Sequence, residues 1–429
     1  MSVEGWKLRR LDEIGEICSG STPSTNNLSY WDGDITWVTP NDLSKLNTPY
    51  LITSSKKITQ QGLKSCSAQI VPIGSIILSS RAPIGYLAIS LVDCCTNQGC
   101  KSFNLNPEYD SEFVYYNLKY NINKIKNLGE ETTFAEISKT ALSKIQISFL
   151  ENKQEQTQIA TILSTIDRAI EQTEALIAKQ QRIKTGLMQD LLTKGIDENG
   201  NIRSEETHEF KDSPLGRIPV EWEVKKIGEI STISYGISDA IEQSRNSGIL
   251  TVTLPCVLSS GELIVKPELL AYSDENKVKQ SDLLKKGDLL FNWRNGSQNH
   301  LGKTAYFNLE EKYTHVGFLL KIRTSPRLCD SRFLWYLLCD IKEKGFFQTA
   351  KIQVNNTFNS NELRKVVLFF PRIDEQKIIV KFLDSIQFAI SNQSEYLTKL
   401  KSIKFGLMQD LLTGKVRVTD LLNQKTATN

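Results

Sequence analysis

The sequence predicts an α+β protein built as a pseudo-two-fold tandem repeat, with two α/β globules separated by two long helices that pair as an antiparallel coiled coil. Three observations carry this. The octapeptide GLMQDLLT stands at Gly186 to Thr193 and again, unchanged, at Gly406 to Thr413. Aligned backwards from it without a gap, Glu155 to Thr193 lies over Glu375 to Thr413 at a constant offset of 220, which is 406 − 186. Both aligned segments space their apolar residues in steps of three and four, and repeats of this kind set the architecture before any local reading does.

The repeat extends beyond the helices. Asp110 to Leu118 (DSEFVYYNL) lies over Asp330 to Leu338 (DSRFLWYLL) at the same offset, and Trp6 to Gly20 lies over Trp222 to Gly236 at an offset of 216, so the two middles differ by a net 4 residues (220 − 216). This divides the chain into residues 1–150 (first globule), 151–195 (first helix), 196–221 (linker), 222–370 (second globule), 371–415 (second helix) and 416–429 (C-terminal tail).

The first helix places Ile159, Leu163, Ile166, Ile170, Thr173, Ile177, Gln180, Leu187 and Leu191 on one seam; the second repeats it with Ile379, Leu383, Ile386, Ile390, Gln393, Leu397, Leu400, Leu407 and Leu411. A mean step near 3.5 is the seam of a coiled coil rather than the broader stripe of a surface helix. About 38 residues at 1.5 Å each make a rod of roughly 57 Å. Gly186 and Gly406 are expected to bend or end the rods. Within the globules, Ser75 to Arg81, Cys100 to Leu105, Lys144 to Leu150, Asp288 to Arg294 and Arg364 to Phe370 read as strands, short, β-branched and bounded by turn residues. Asp110 and Asp330 read as N-caps of one helix in each globule.

Composition bounds the function. At 429 residues, 40% hydrophobic and 24% charged, the chain has the make-up of a soluble protein of two or three domains. No apolar run approaches the roughly 18 residues a membrane span requires, and the N-terminus leads into no signal-type apolar stretch, so a cytoplasmic location and no membrane partner are expected. Eight cysteines without a CxxC pair predict neither a zinc site nor a disulfide framework, and are expected to be reduced and mostly buried. Net charge is +3, with 14 Lys+Arg against 14 Asp+Glu in residues 1–150 and 21 against 17 in residues 216–370. If nucleic acid is the ligand, partners supply much of the phosphate attraction.

Catalytic motifs are lacking. Gly296 to Thr304 (GSQNHLGKT) imitates a phosphate loop, but five residues separate its glycines where four are needed, and the following AYFNL reads as a strand. No Pro-Pro pair exists for the target-base motif of an adenine methyltransferase, and His208, His300 and His315 have no helical i, i+4 spacing for a metal. No catalytic or metal-binding residue is therefore assigned.

Two antiparallel rods relate two globules by a two-fold, the symmetry that duplex DNA offers to paired readers about 34 Å apart. Base edges are read by Arg, Asn, Gln, Ser and Thr. Candidate readers are Ser21, Thr22, Ser24, Ser80, Arg81, Asn97, Gln98 and Lys101 in the first globule. In the second they are Asn292, Trp293, Arg294, Asn295, Ser297, Gln298, Asn299, Gln353, Asn355 and Asn356. The competing reading is a two-headed scaffold for proteins, which would bind DNA at no salt concentration, whereas phosphate-driven binding falls steeply with salt.

Over nearly its whole length the sequence resembles the specificity subunit of type I restriction-modification systems. The resemblance is carried by GSTPSTNNLSYWDGDITWVTPNDL (Gly20 to Leu43), SSRAPIGYLAI (Ser79 to Ile89), TNQGCKSF (Thr96 to Phe103), FKDSPLGRIPVEWEV (Phe210 to Val224) and both EQ…GLMQDLLT helices. It implies that the globules are target-recognition domains, each reading one half of a bipartite double-stranded DNA target. The helices would be the conserved spacer and the dock for two modification subunits, which methylate adenine N6. It implies no cofactor in this chain, S-adenosylmethionine in the modification subunits, and two restriction subunits using ATP and Mg. The WDGDITW run has no sequence equivalent after Gly236, so the second site is not carried over. Candidate partner contacts are Leu187, Met188, Gln189, Asp190 and Leu191, with their twins Leu407, Met408, Gln409, Asp410 and Leu411. A seam constrains only one face of a helix, so identity at the polar positions points to a second constrained surface.

Overall fold

The computed structural model describes residues 3–130, 136–213, 216–238, 245, 247–295, 297–349 and 357–419. They form two compact units, one of residues 1–175 with 394–429 and the other of residues 176–393. Each unit holds one globule, the adjoining part of its own long helix and the far end of the other. The long helices are Lys153–Thr193 and Ile373–Leu411.

In the first unit a five-stranded sheet runs in the order Gly15–Ser19, Cys100–Leu105, Ile76–Ser79, Leu87–Ser90 and Tyr50–Leu51. A three-stranded sheet, Lys56–Ile58, Trp31–Val38 and Cys94–Thr96, adds a parallel pair with Thr36 opposite Cys94 and Val38 opposite Thr96. The second unit repeats this with a four-stranded sheet, Ser231–Tyr235, Leu319–Thr324, Leu289–Asn292 and Thr304–Tyr306. Its three-stranded sheet, Ala271–Ser273, Ile249–Val252 and Tyr313–His315, again has a parallel pair, Leu250 opposite Tyr313 and Val252 opposite His315. Ile249–Val252 is therefore the structural counterpart of the WDGDITW strand, for which the sequence offered none. Two short antiparallel pairs close the globules at the helix ends: Trp6–Arg10 with Gln146–Leu150, and Glu223–Lys226 with Val367–Phe370.

Each expected strand is present within a residue or three of its predicted ends, and both expected caps form. The Asp110 side chain accepts from the Phe113 backbone N–H, and that of Asp330 from those of Arg332 and Phe333. The Gln of each EQ pair fastens the long helix to that cap. Fully buried Gln156 accepts from the Asp110 N–H at 2.8 Å and donates to the Leu150 carbonyl at 2.8 Å. Gln376 accepts from the Asp330 N–H at 2.8 Å and donates to the Pro371 carbonyl at 2.9 Å. A buried amide is tolerated only when so satisfied.

All eighteen seam positions are buried or half-buried. In the first unit the helices run antiparallel, with Lys404 paired to Asp167 and Lys401 to Glu174 as one helix ascends and the other descends. In the second, Lys184 donates to Gln387 at 2.6 Å. Neither rod ends at its octapeptide glycine: both helices continue past Gly186 and Gly406. The glycines that follow the octapeptides, Gly195 (φ 64°) and Gly414 (φ 72°), stand just beyond the helix ends in the left-handed region. They also allow a close approach: a Cβ on Gly195 would lie 2.6 Å from the Trp222 ring, and one on Gly414 2.5 Å from Trp6 Nε1. Trp6 and Trp222, at matched positions of the repeat, are both buried and act as packing anchors.

The apolar half of the octapeptide is thereby accounted for. Leu191 and Leu192 sit in the core of the second unit with Phe333, Leu337 and Ile379, while Leu411 and Leu412 sit in that of the first with Phe113, Leu118 and Ile159. Burying one such side chain contributes roughly 1.5–3 kcal/mol.

Candidate nucleic-acid interface

Three loops of the first unit meet at one end of its sheets. Gly20 permits the meeting, because a Cβ there would lie 2.0 Å from the Asn97 carbonyl oxygen and 2.3 Å from that of Thr96. Beside it the Ser21 N–H donates to the Thr96 carbonyl at 2.9 Å, Trp37 Nε1 donates to the Ser21 carbonyl at 2.9 Å, and the Thr22 hydroxyl donates to Gln98 Oε1. The Ser80 N–H joins the Gly99 carbonyl at 2.8 Å. Ser24, Arg81 and Gln98 are exposed, and Ser21, Thr22 and Asn97 half-exposed. Ser80 and Lys101 lie beneath this surface at 0% and 4% exposure, which removes their side chains from direct base contact in this conformation. Burial pulls the Lys101 ammonium below the usual lysine range, against the opposing pull of Glu136.

The second unit repeats the arrangement with different side chains. Gly236 replaces Gly20: a Cβ there would lie 2.3 Å from the carbonyl oxygens of both His315 and Val316, and the Ile237 N–H donates to the His315 carbonyl at 3.0 Å. Trp293 stands where Ser80 stands; its Nε1 donates to the Gly317 carbonyl at 2.7 Å and its ring meets Tyr235 edge-on at 5.2 Å. Arg294, Ser297, Gln298 and Asn299 are exposed, and Asn295 is half-exposed, its Oδ1 accepting from the Ser297 N–H at 3.2 Å. Asn292 is 1% exposed and so offers no edge to a ligand. Gln353, Asn355 and Asn356 lie outside the described residues. The phosphate-loop imitation resolves into a 3-10 turn, Gln298–His300, followed by the strand Thr304–Tyr306, so no helix opens after Thr304.

Two arginines correspond across the units. Ile76–Ser79 and Leu289–Asn292 pair in the same way with Cys100–Leu105 and Leu319–Thr324, which makes Arg81 and Arg294 the second residue past the end of equivalent strands. The residue before each arginine accepts a backbone hydrogen bond, Ser80 from Ile137 at 2.8 Å and Trp293 from Phe358 at 2.7 Å. Each arginine then bridges antiparallel to one residue, Glu136 or Thr357. Two residues further on come the caps Ser138 and Asn359 of equivalent short helices. Arg81 Nε lies 2.9 Å from Glu136 Oε2, and Lys101 Nζ 3.8 Å from Glu136 Oε1. Arg294 instead lies 5.9 Å from the centre of the exposed Phe318 ring. Sequence reasoning named both arginines and missed Glu136 and Phe318, because their partnership exists only through the sheet.

Among the described residues no group of three or more His, Cys, Asp or Glu could hold a metal ion, and no helix is long and apolar enough to cross a membrane. Of the eight cysteines six are buried; Cys66 and Cys339 are half-buried, and none is disulfide-bonded. At the octapeptides Gln189 and Gln409 are exposed. Asp190 and Asp410 are half-exposed and ion-paired to Lys194 at 2.8 Å and Lys415 at 2.9 Å. Leu187, Met188, Leu407 and Met408 are half-buried against the cores, and Leu191 and Leu411 are core residues, unavailable to any partner while the units are folded.

A duplicated α/β fold, each copy carrying a polar loop cluster at one end of its sheets, defines a tandem-repeat protein of two like domains. The family model of the type I restriction modification DNA specificity domain matches residues 3–180 and again 219–402, and the chain belongs to that family. It is 29% identical to the specificity subunit of the type I restriction enzyme MjaIX of Methanocaldococcus jannaschii, over 97% of this chain and 94% of that one. It is 28% identical to the MjaVIII specificity subunit of the same organism, over 74% and 72%. The fold is similar to that of the S subunit of a type I restriction-modification system from M. genitalium, with a TM-score of 0.59 at 17% identity over 96% of both chains. A chain from a structure describing complex assembly and conformational transition of the type I system gives 0.56 at 18% identity, over 97% and 100%.

Proposed function

We propose that this chain is the non-catalytic DNA sequence-specificity subunit of a cytoplasmic type I restriction-modification complex, each recognition domain reading one half of an asymmetric bipartite target. The observation that carries this is the pair of equivalent loop clusters built on one backbone plan but furnished with different side chains. A shared frame gives both domains the same approach to DNA, and different side chains make the halves of the target differ. Arg81 and Arg294 supply the bidentate donors that guanine takes, and Asn97, Gln98, Gln298 and Asn299 the paired groups that suit adenine.

The long helices set the spacer and dock two modification subunits, which methylate adenine N6 with S-adenosylmethionine; two restriction subunits add ATP- and Mg-dependent cleavage. With Leu191 and Leu411 used internally, the docking surface falls to the polar side of each octapeptide: Gln189, Asp190, Gln409 and Asp410.

Exchanging residues 1–150 for those of a relative, then mapping methylated adenines in a host that expresses the chain with its modification subunits, tests the reading. One half of the target is expected to change. Alteration of both halves, or of neither, refutes it. Removing one heptad from each rod, roughly 10 Å of helix, is expected to shorten the unread spacer by about 3 base pairs at 3.4 Å each, with the bases read unaltered.

A further inference from the structure

The correspondence of Arg81 with Arg294 isolates one difference: where Arg81 meets a carboxylate, Arg294 meets a hydroxyl-bearing residue and an aromatic ring. Glu136 is neither buried nor remote. Its side chain is 32% exposed, that of Arg81 is 45% exposed, and their contact is 2.9 Å at the rim of the loop cluster. An exposed ion pair contributes little to stability. A carboxylate at a surface that must approach phosphates works against binding unless it meets a donor there.

Base pairs provide such a donor. In the major groove guanine offers two acceptors, suited to Arg, and its cytosine partner offers the N4 amino group, suited to a carboxylate. A guanidinium and a carboxylate held side by side match the two edges of one G·C pair, or of neighbouring pairs. Lys101, 4% exposed and 3.8 Å from Glu136 Oε1, anchors the carboxylate from beneath. In the second unit Thr357 stands in the place of Glu136, and among the described residues no carboxylate lies within ion-pair distance of Arg294.

We propose that Glu136 is a specificity-determining residue of the first recognition domain, accepting a hydrogen bond from cytosine N4 while its partner Arg81 donates to guanine. The first half-target thereby carries a G·C requirement that the second domain, with Thr357 in the equivalent place, does not impose through a carboxylate. This rests on the reading of the chain as a DNA-specificity subunit.

The test uses the full chain with its modification subunits and a randomised duplex library, sequencing the bound fraction at low and physiological salt. Glu136→Thr is expected to lower the preference for G·C at one position of the first half-target by about tenfold, leaving the second half unchanged. Glu136→Gln, which keeps the shape but can turn a donor to the base, is expected to alter the same position. Thr357→Glu is expected to add a G·C preference to the second half, a gain that misfolding cannot imitate. Base preferences identical to wild type in all three variants overturn the proposal. So does a change in affinity that is uniform over the library, since Glu136 would then act only through its charge. A wild-type complex that enriches no bipartite target fails the parent reading instead, and is distinguished by appearing before any substitution is made.

Discussion

Arg417 grips Glu155 at two points, Nε at 3.0 Å from Oε1 and Nη2 at 2.6 Å from Oε2, across 262 residues of chain. The carboxylate side chain is 1% exposed. The other unit makes the same clasp between Arg203 and Glu375, at 2.5 and 3.2 Å. Glu155 and Glu375 are repeat partners, whereas the arginines are not: Arg203 follows its octapeptide by 10 residues (203 − 193), Arg417 by 4 (417 − 413). The clasp is thus reached by two different local paths, each tying the tail of one long helix to the head of the other.

The Arg417 side chain is 30% exposed, so only the carboxylate is buried, and removing the arginine strands that charge. Arg417→Ala is expected to destabilise the first unit by about 3 kcal/mol, and Glu155→Gln by less, because a neutral amide tolerates burial better than a lone carboxylate. Urea unfolding with amide exchange, which locates the loss in residues 1–175 and 394–429, measures it. A loss near that of a surface pair, under about 1 kcal/mol, would show the clasp to be ornamental.

His315 gives the second unit a pH dependence. It is fully buried, neither ring nitrogen has a hydrogen-bond partner among the described residues, and burial, helped by Lys321, pushes its pKa down to about 3. Between that value and the ordinary histidine value near 6.5 the unfolded chain binds the proton and the folded one does not. Stability from this residue is therefore full above about pH 6.5 and falls as pH drops, by about 1.4 kcal/mol per unit. From pH 7 to pH 5 the second unit is expected to lose about 2 kcal/mol. In His315→Thr, which carries the residue of the equivalent Thr96, this contribution to the slope is expected to vanish whatever the variant's stability at pH 7. An unchanged slope would place the titration elsewhere.

Much of this was legible in the sequence because it is periodic or local. The seams, the caps at Asp110 and Asp330 and the strand Cys100–Leu105 each follow from spacing or a neighbour within a few residues. The strand Ile249–Val252 was not, since a parallel pairing with Tyr313–His315 constrains burial and backbone rather than residue identity. The depth of Ser80, Lys101 and Asn292 was hidden for a related reason: polar residues beside turns look like surface, and only the packed sheet shows them covered. The EQ dipeptides were visible as a repeat. Their division of labour, Gln to the cap and Glu to a distant arginine, required the fold.

Gly186 and Gly406 set the last expectation. Both lie inside long helices, and outside its own helix backbone a Cβ at either position meets nothing within 4 Å. A helical glycine costs roughly 0.8–1 kcal/mol against alanine, so the fold of the chain supplies no reason to keep two. Gly186→Ala and Gly406→Ala are each expected to raise stability by about that amount. Gly195→Ala and Gly414→Ala, at positive φ and against the tryptophans, are expected to lower it. If the octapeptides are docks, the open space beside Gly186 and Gly406 is where a partner's backbone or side chain comes close. A single alanine should then reduce the complement of modification subunits from two to one in native mass spectrometry, even as the free chain melts higher. Replacing both Gln189 and Asp190 by alanine, and in a separate variant both Gln409 and Asp410, should do the same one copy at a time. Retention of two partners by the alanine and polar variants alike would return the identity of the octapeptides to the packing of Leu191, Leu192, Leu411 and Leu412 in the two cores.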